Sequence, residues 1–153
     1  MKIQSARFGE LEVEDKSTLT FNAGPLGFET MTRWVIIENG LLGWLQSMDD
    51  PTLAFVVANP FDFYEDYQFD VTDQELQLLN VVAPGDLTVL SIVSVPPQVE
   101  NMTINLLAPI VINHEGKLAK QIILTNNRYS VRHYLYSDLL KCSKAREEQM
   151  ATA

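Results

Sequence analysis

The sequence predicts a mainly β fold: a single antiparallel, barrel-like or sandwich-like domain with one or two short helices. Three observations lead there. Short apolar runs rich in Ile, Val, Leu and aromatic residues recur along the chain, each bounded by Gly, Pro, Asn or Asp. One stretch, Thr72-Asp73-Gln74-Glu75, carries a clear helix-start signal. Strand patterns do not alternate with long helical patterns, which argues against a parallel βαβ sheet.

Taken in order, Lys2 to Phe8 alternates weakly, and Gly9 allows a turn. Leu11 and Val13 then face one way across Glu10, Glu12 and Glu14, as in a half-buried strand with an acidic outer face. Leu19 and Phe21 suggest another short strand, and Asn22 to Phe28 is a turn-rich loop. Glu29 to Arg33 has room for one helical turn. Trp34–Glu38 and Leu41–Met48 are apolar runs around Asn39-Gly40, a hairpin dipeptide. Asp49-Asp50-Pro51 ends the second run, and Leu53–Ala58 reads as a buried strand stopped by Asn59-Pro60. Thr72 is the expected N-cap, with Glu75 reaching back, of a helix that runs to about Leu79 before Asn80. Pro84-Gly85-Asp86 is a turn. Leu87–Val95 is apolar on both faces, as expected for a strand covered on both sides. Ile104–Ile112 and Leu118–Leu124 form the central hairpin around Asn113 to Lys117, with Pro109 marking a bulge or an edge. Asn126-Asn127 is another turn. Tyr134–Leu140 begins a C-terminal helix that runs out through Ala145. Residues 1–140 are expected as one domain, and 141–153 as a helical or frayed tail.

Composition narrows the function classes. A chain of 153 residues can bury roughly 70% of its unfolded surface as one domain. No apolar run reaches the roughly 20 residues of a membrane helix. The first residues lack the apolar core of a signal peptide, and the single cysteine, Cys142, cannot close an internal disulfide. A cytoplasmic location is therefore expected. The net charge of -9 argues against direct binding to nucleic acid or to anionic membranes. From Trp34 to Gly116 there is no Lys or Arg, while Glu38, Asp62, Glu65, Asp66, Asp70, Asp73 and Glu75 all lie in that span. Concentrated negative charge would speed association with a basic partner.

Catalytic and metal signals are sparse. Gly24 and Gly27 follow no βα pattern, so they read as turn glycines and not as a phosphate loop. His114 and His133 are the only histidines, without the clustered ligands a metal needs. No metal and no cofactor is expected. Cys142 has no thiolate-stabilising motif beyond Lys141 and Lys144. Asp49 and Asp50 are the best acid-base pair by composition, yet aspartate before proline is ordinary turn chemistry. Phe61 to Phe69 mixes aromatics with acids. It reads either as a loop anchoring rings in the core or as an interaction surface, and the two are compatible.

Several stretches together resemble the flagellar assembly factor FliW family. They are Arg7 to Val13, Gly24-Pro25-Leu26-Gly27-Phe28-Glu29, Trp44 to Pro51 with Leu53 to Val57, Asn105 to Asn113, Gly116-Lys117, Gln121 to Leu124, and Tyr129 to His133. The resemblance runs in order to about Leu140. It departs in the tail and in the short Glu38-Asn39-Gly40 turn. It implies a non-catalytic cytoplasmic protein with two partners: CsrA, an RNA-binding translational repressor whose repression of flagellin synthesis is relieved on binding, and flagellin, bound as by a chaperone. The free chain is expected to be a monomer. For the CsrA contact the expected residues are Glu65, Asp66, Asp70, Asp73 and Glu75. For an apolar groove taking flagellin's amphipathic ends they are Phe61, Phe63 and Tyr64. The competing reading is a small-ligand or enzymatic β-barrel centred on Asp49 and Asp50, with His114, and it requires those residues to converge in a deep pocket. A structural subunit of a larger assembly is the third.

Overall fold

The computed structural model describes residues 2–14, 17–125 and 128–152. The expected turn at Asn126-Asn127 lies outside them. The described strands are β1 (Lys2–Ser5), β2 (Gly9–Glu12), β3 (Thr18–Phe21), β4 (Arg33–Asn39), β5 (Leu42–Ser47), β6 (Ala54–Ala58), β7 (Thr88–Ser94), β8 (Thr103–Ile104), β9 (Ile110–Asn113), β10 (Leu118–Gln121) and β11 (His133–Tyr134). The helices are α1 (Asp73–Leu78) and α2 (Tyr136–Thr152).

Seven strands close into a barrel in the order β3-β4-β5-β6-β7-β9-β10, with β10 returning to β3. Neighbours are antiparallel except at that return, where β10 and β3 run parallel, Leu118 beside Thr20. On its edge opposite β6, strand β7 serves two partners. Its first half pairs with β9 and its end pairs with β8, which carries β11.

Alternation along each barrel strand decides the inside. Leu19 and Phe21, Trp34 and Ile36, Leu45, Phe55 and Val57, Leu90 and Ile92, Ile110 and Ile112, and Ala119 form one apolar cluster. Every barrel strand contributes to it from one face, so it fills the interior. Trp34 stacks on Phe55 at 5.6 Å, and Phe28 meets Phe55 edge-on at 5.5 Å. A second apolar layer lies outside the ring, where Val89, Val93, Ile104, Leu106, Val111 and Leu135 are covered by Tyr67, Leu79 and the segments that carry them. Strand β7 thus faces apolar surroundings on both sides, as its sequence predicts.

Strands β1 and β2 form a separate antiparallel hairpin, and the hairpin meets β5 at Trp44 and Gln46. Ser5 Oγ donates to Gln46 Oε1 at 2.9 Å, and Gln46 Nε2 donates to the carbonyls of Ser47 and Leu53. A fully buried glutamine is thereby satisfied. Arg7 lies 4.2 Å above the Trp44 ring, which also meets Phe8 edge-on.

Several boundaries differ from expectation: β10 ends at Gln121, α2 extends to Thr152, and four more differ for a local reason. The Ile104–Ile112 run is not one strand. Asn105 Oδ1 accepts the N–H groups of Leu107 and Ala108, folding the chain into a turn, and β9 begins only after Pro109. The proline carbonyl still accepts from Ile122, so the hairpin with β10 continues past it. The loop between β4 and β5 is Gly40-Leu41, since Asn39 pairs with Leu42, and Gly40 takes the positive φ of 70°. Glu29–Arg33 forms no helical turn; its backbone is tied to Gly24 and Phe28, and Arg33 starts β4. Tyr134 belongs to β11, and α2 starts at Tyr136.

Candidate functional site

The segment from Asn59 to Asn80 lies across the outer apolar layer. It opens with a 3-10 turn at Pro60–Asp62, where Asn59 Oδ1 accepts the Phe61 N–H at 2.9 Å. Tyr67 anchors the middle. It is buried, its hydroxyl donates to the Leu106 carbonyl at 2.7 Å, and its ring meets Tyr129 edge-on at 4.7 Å. Burial, then the neighbouring Tyr129, pushes its phenol far above the ordinary range. The segment closes in α1, where Thr72 Oγ1 accepts the Glu75 N–H and Glu75 accepts the Thr72 N–H, the reciprocal cap read from the sequence. Asn80, at φ 57°, ends the helix.

The predicted partner-binding residues fall into two groups on this scaffold. Glu65, Asp66, Asp70 and Asp73 are exposed. Glu75 is half-buried, engaged in the cap, and 3.9 Å from Lys120. Phe61 is 42% exposed and lines an apolar cleft of about 370 Å³ with Phe69, Val71, Leu87, Val89 and Val111. Phe63 and Tyr64 are half-buried against the outer layer and do not line that cleft. The Tyr64 hydroxyl donates to the Tyr134 carbonyl at 3.1 Å. Burial, then the charge of Asp138, pushes its pKa up to about 12. Sequence reasoning missed the cleft's other wall, because Leu87 just before β7, Val89 from β7 and Val111 from β9 read only as core.

The residues of the competing reading do not converge. Asp49 and Asp50 sit on the turn after β5. Ser47 Oγ accepts both of their backbone N–H groups, Arg33 pairs with Asp49, and Asp50 Oδ1 accepts from the N–H and hydroxyl of Thr52. The Thr52 bonds hold the Asp50 carboxyl below its usual range. His114 lies beyond the other end of the barrel, in a cleft with Leu42, the first residue of β5. A six-residue strand spans roughly 20 Å, so the pair and the histidine share no pocket. Among the described residues no group of three His, Cys, Asp or Glu is placed to hold a metal ion. No described helix is long and apolar enough to cross a membrane.

That end of the barrel is open. Glu38 occupies the inward row of β4 beyond Trp34 and Ile36, and its partner across the ladder is Gly43. A Cβ on Gly43 would lie 3.0 Å from the Ile37 carbonyl oxygen and 3.8 Å from Val57 Cγ2, so a larger residue there would crowd the β4 backbone. The hollow holds about 270 Å³.

Comparison with known proteins places this architecture. The family model described as FliW protein matches residues 2–135. The chain is 37% identical over 145 residues to the flagellar assembly factor FliW of Alkaliphilus metalliredigens, covering 92% of this chain and 90% of that one. It is 38% identical over 155 residues to the protein of the same name from Pseudothermotoga lettingae, covering 95% and 99%. A crystal structure of the flagellar assembly factor FliW superposes with a TM-score of 0.82 at 34% identity, over 88% of this chain and 96% of that one. With the barrel and more than a third of the residues held in common over almost the full length of both chains, this chain belongs to the FliW family of flagellar assembly factors.

Proposed function

We propose that this chain works in the cytoplasm as a non-catalytic regulator of flagellin supply. It binds CsrA, relieving repression of flagellin synthesis, and it binds flagellin as a chaperone; the free protein is a monomer. The observation that carries this reading is the Asn59–Asn80 segment. It sets four exposed carboxylates, Glu65, Asp66, Asp70 and Asp73, beside an apolar cleft lined by Phe61, in a stretch free of Lys and Arg. Carboxylates suit a basic RNA-binding protein and act chiefly on encounter rate. An apolar cleft suits one face of an amphipathic helix.

Reversing all four acids to Lys, with Glu75 left to cap α1, tests the first half. CsrA affinity is expected to fall about tenfold or more, mostly through association rate, with a weaker dependence on salt. Unchanged affinity with an unchanged salt slope would sink the acidic surface as the CsrA site. Replacing Phe61 by Ser is expected to weaken flagellin binding and leave CsrA binding intact, both measured by titration calorimetry.

A further inference from the structure

The open barrel mouth has a chemical character that neither partner assignment uses. Its walls are apolar, formed by Ile36, Leu42, Val57 and Leu90. Its polar lining includes two carboxylates, Glu38 and Asp62, and no described lining residue is a Lys or Arg. Glu38 is the telling residue. Barrel strands turn apolar side chains inward, and β4 does so at Trp34 and Ile36. The next inward position carries a carboxylate, Glu38, opposite Gly43. A second hollow, of about 610 Å³, continues from the first past Leu11 and Val13, is also lined by Glu12 and Glu14, and shares Ile36, Glu38 and His114 with it.

We propose that the mouth docks one Lys or Arg side chain of a partner protein, carried on a segment with apolar neighbours. The fit follows from the chemistry of a long cationic side chain. Its methylene stem packs along apolar walls while its head meets a carboxylate. Glu38 stands where the head arrives, and Ile36, Leu42 and Leu90 stand where the stem passes. Within the adjoining hollow Leu11, Val13 and Ile37 offer contact to apolar residues next to the cation, which a protein segment supplies and a free amine does not. The complementary sign also rejects acidic segments. This docking position lies outside the carboxylates at 65–73 and stands independently of the CsrA and flagellin reading.

The test is a titration of the full-length, 15N-labelled chain with three probes: acetylated leucine-arginine-leucine amide, its glutamine analogue, and butylguanidinium. The arginine peptide is expected to give saturable amide shifts at Glu38, Leu42, Gly43 and His114. Its affinity is expected to fall about three- to tenfold in Glu38→Gln and to hold in Glu65→Gln. Asp62→Asn is the second variant, expected to weaken the same peptide by about twofold or more. The proposal is overturned if the arginine peptide gives no saturable shift at the mouth, or if the glutamine peptide binds equally well. It is also overturned if Glu38→Gln changes affinity by less than about twofold. Butylguanidinium binding as tightly as the arginine peptide overturns the protein segment as occupant.

Discussion

His133 shows how much one side chain can be asked to do. Its ring lies 6.3 Å from those of Tyr64 and Tyr129, and its Nε2 accepts the Ser130 N–H at 2.9 Å. Burial lowers its pKa from the ordinary imidazole value. A base whose pKa is lower folded than unfolded takes up its proton first in the unfolded chain. Its contribution to stability is therefore complete above about pH 6.5 and is lost as pH falls from there to the folded pKa. The urea midpoint is expected to drop between pH 7 and about 5.5, and His133→Gln is expected to flatten that part of the profile. Other single residues were legible for their role but not for its cause. Gly24 reads as a turn glycine, yet its φ is not in the left-handed region. A Cβ there would lie 2.1 Å from the Met31 carbonyl oxygen and 2.2 Å from that of Phe28, a close approach set by loop packing that no local pattern announces. The turn reading of Asp49 and Asp50 was available from Pro51 alone. The ion pair of Asp49 with Arg33 was not, since it depends on the register of β4 against β5.

Among the elements, α1 is the one whose start and stop both follow from four or five residues. Thr72→Ala removes the cap and is expected to cost about 1 kcal/mol, read as a shift in denaturant midpoint. Because α1 ends the segment that carries Glu65, Asp66 and Asp70, amide exchange should quicken there before it quickens in the barrel. Hairpins were equally legible, because apolar alternation and a glycine turn are local. The β9–β10 hairpin has the predicted turn, and β4–β5 is shifted by one residue. What local reasoning could not place is which strands meet across long separations: β7 shared between β8 and β9, and the apolar cleft whose walls come from Phe61, β7 and β9. Half of the candidate site was therefore readable, the exposed acids and Phe61. The other half is made of residues whose sequence signal is simply burial.

For the whole molecule, closure is the governing fact. Strand β9 is inserted between β7 and β10, and Ile110 at its start has no exposed surface. Ile110→Asp puts an unpaired charge inside the ring at a cost of several kcal/mol, roughly the entire margin of a small domain. The variant is expected to be unfolded by circular dichroism at room temperature, and a native spectrum would contradict the filled interior. A ring without free edges also leaves no barrel strand open to pairing with another chain. The exposed chemistry is left to the ends of the barrel and to the segments laid over its outer face.

The one parallel seam has a temporal consequence. Strand β3 is complete by Phe21, but its second partner spans Leu118–Gln121. At about 5–20 residues per second, β3 would wait roughly 5–20 s during synthesis before that partner exists. Throughout that interval Leu19, Phe21 and Trp34 belong to an open sheet whose apolar face is wet. A nascent chain of this design carries its greatest aggregation hazard in the time before β10 leaves the ribosome. Slowing translation across the codons between Trp34 and Leu118 should therefore lower soluble yield, whereas the same delay placed before the codon for Leu19 should not.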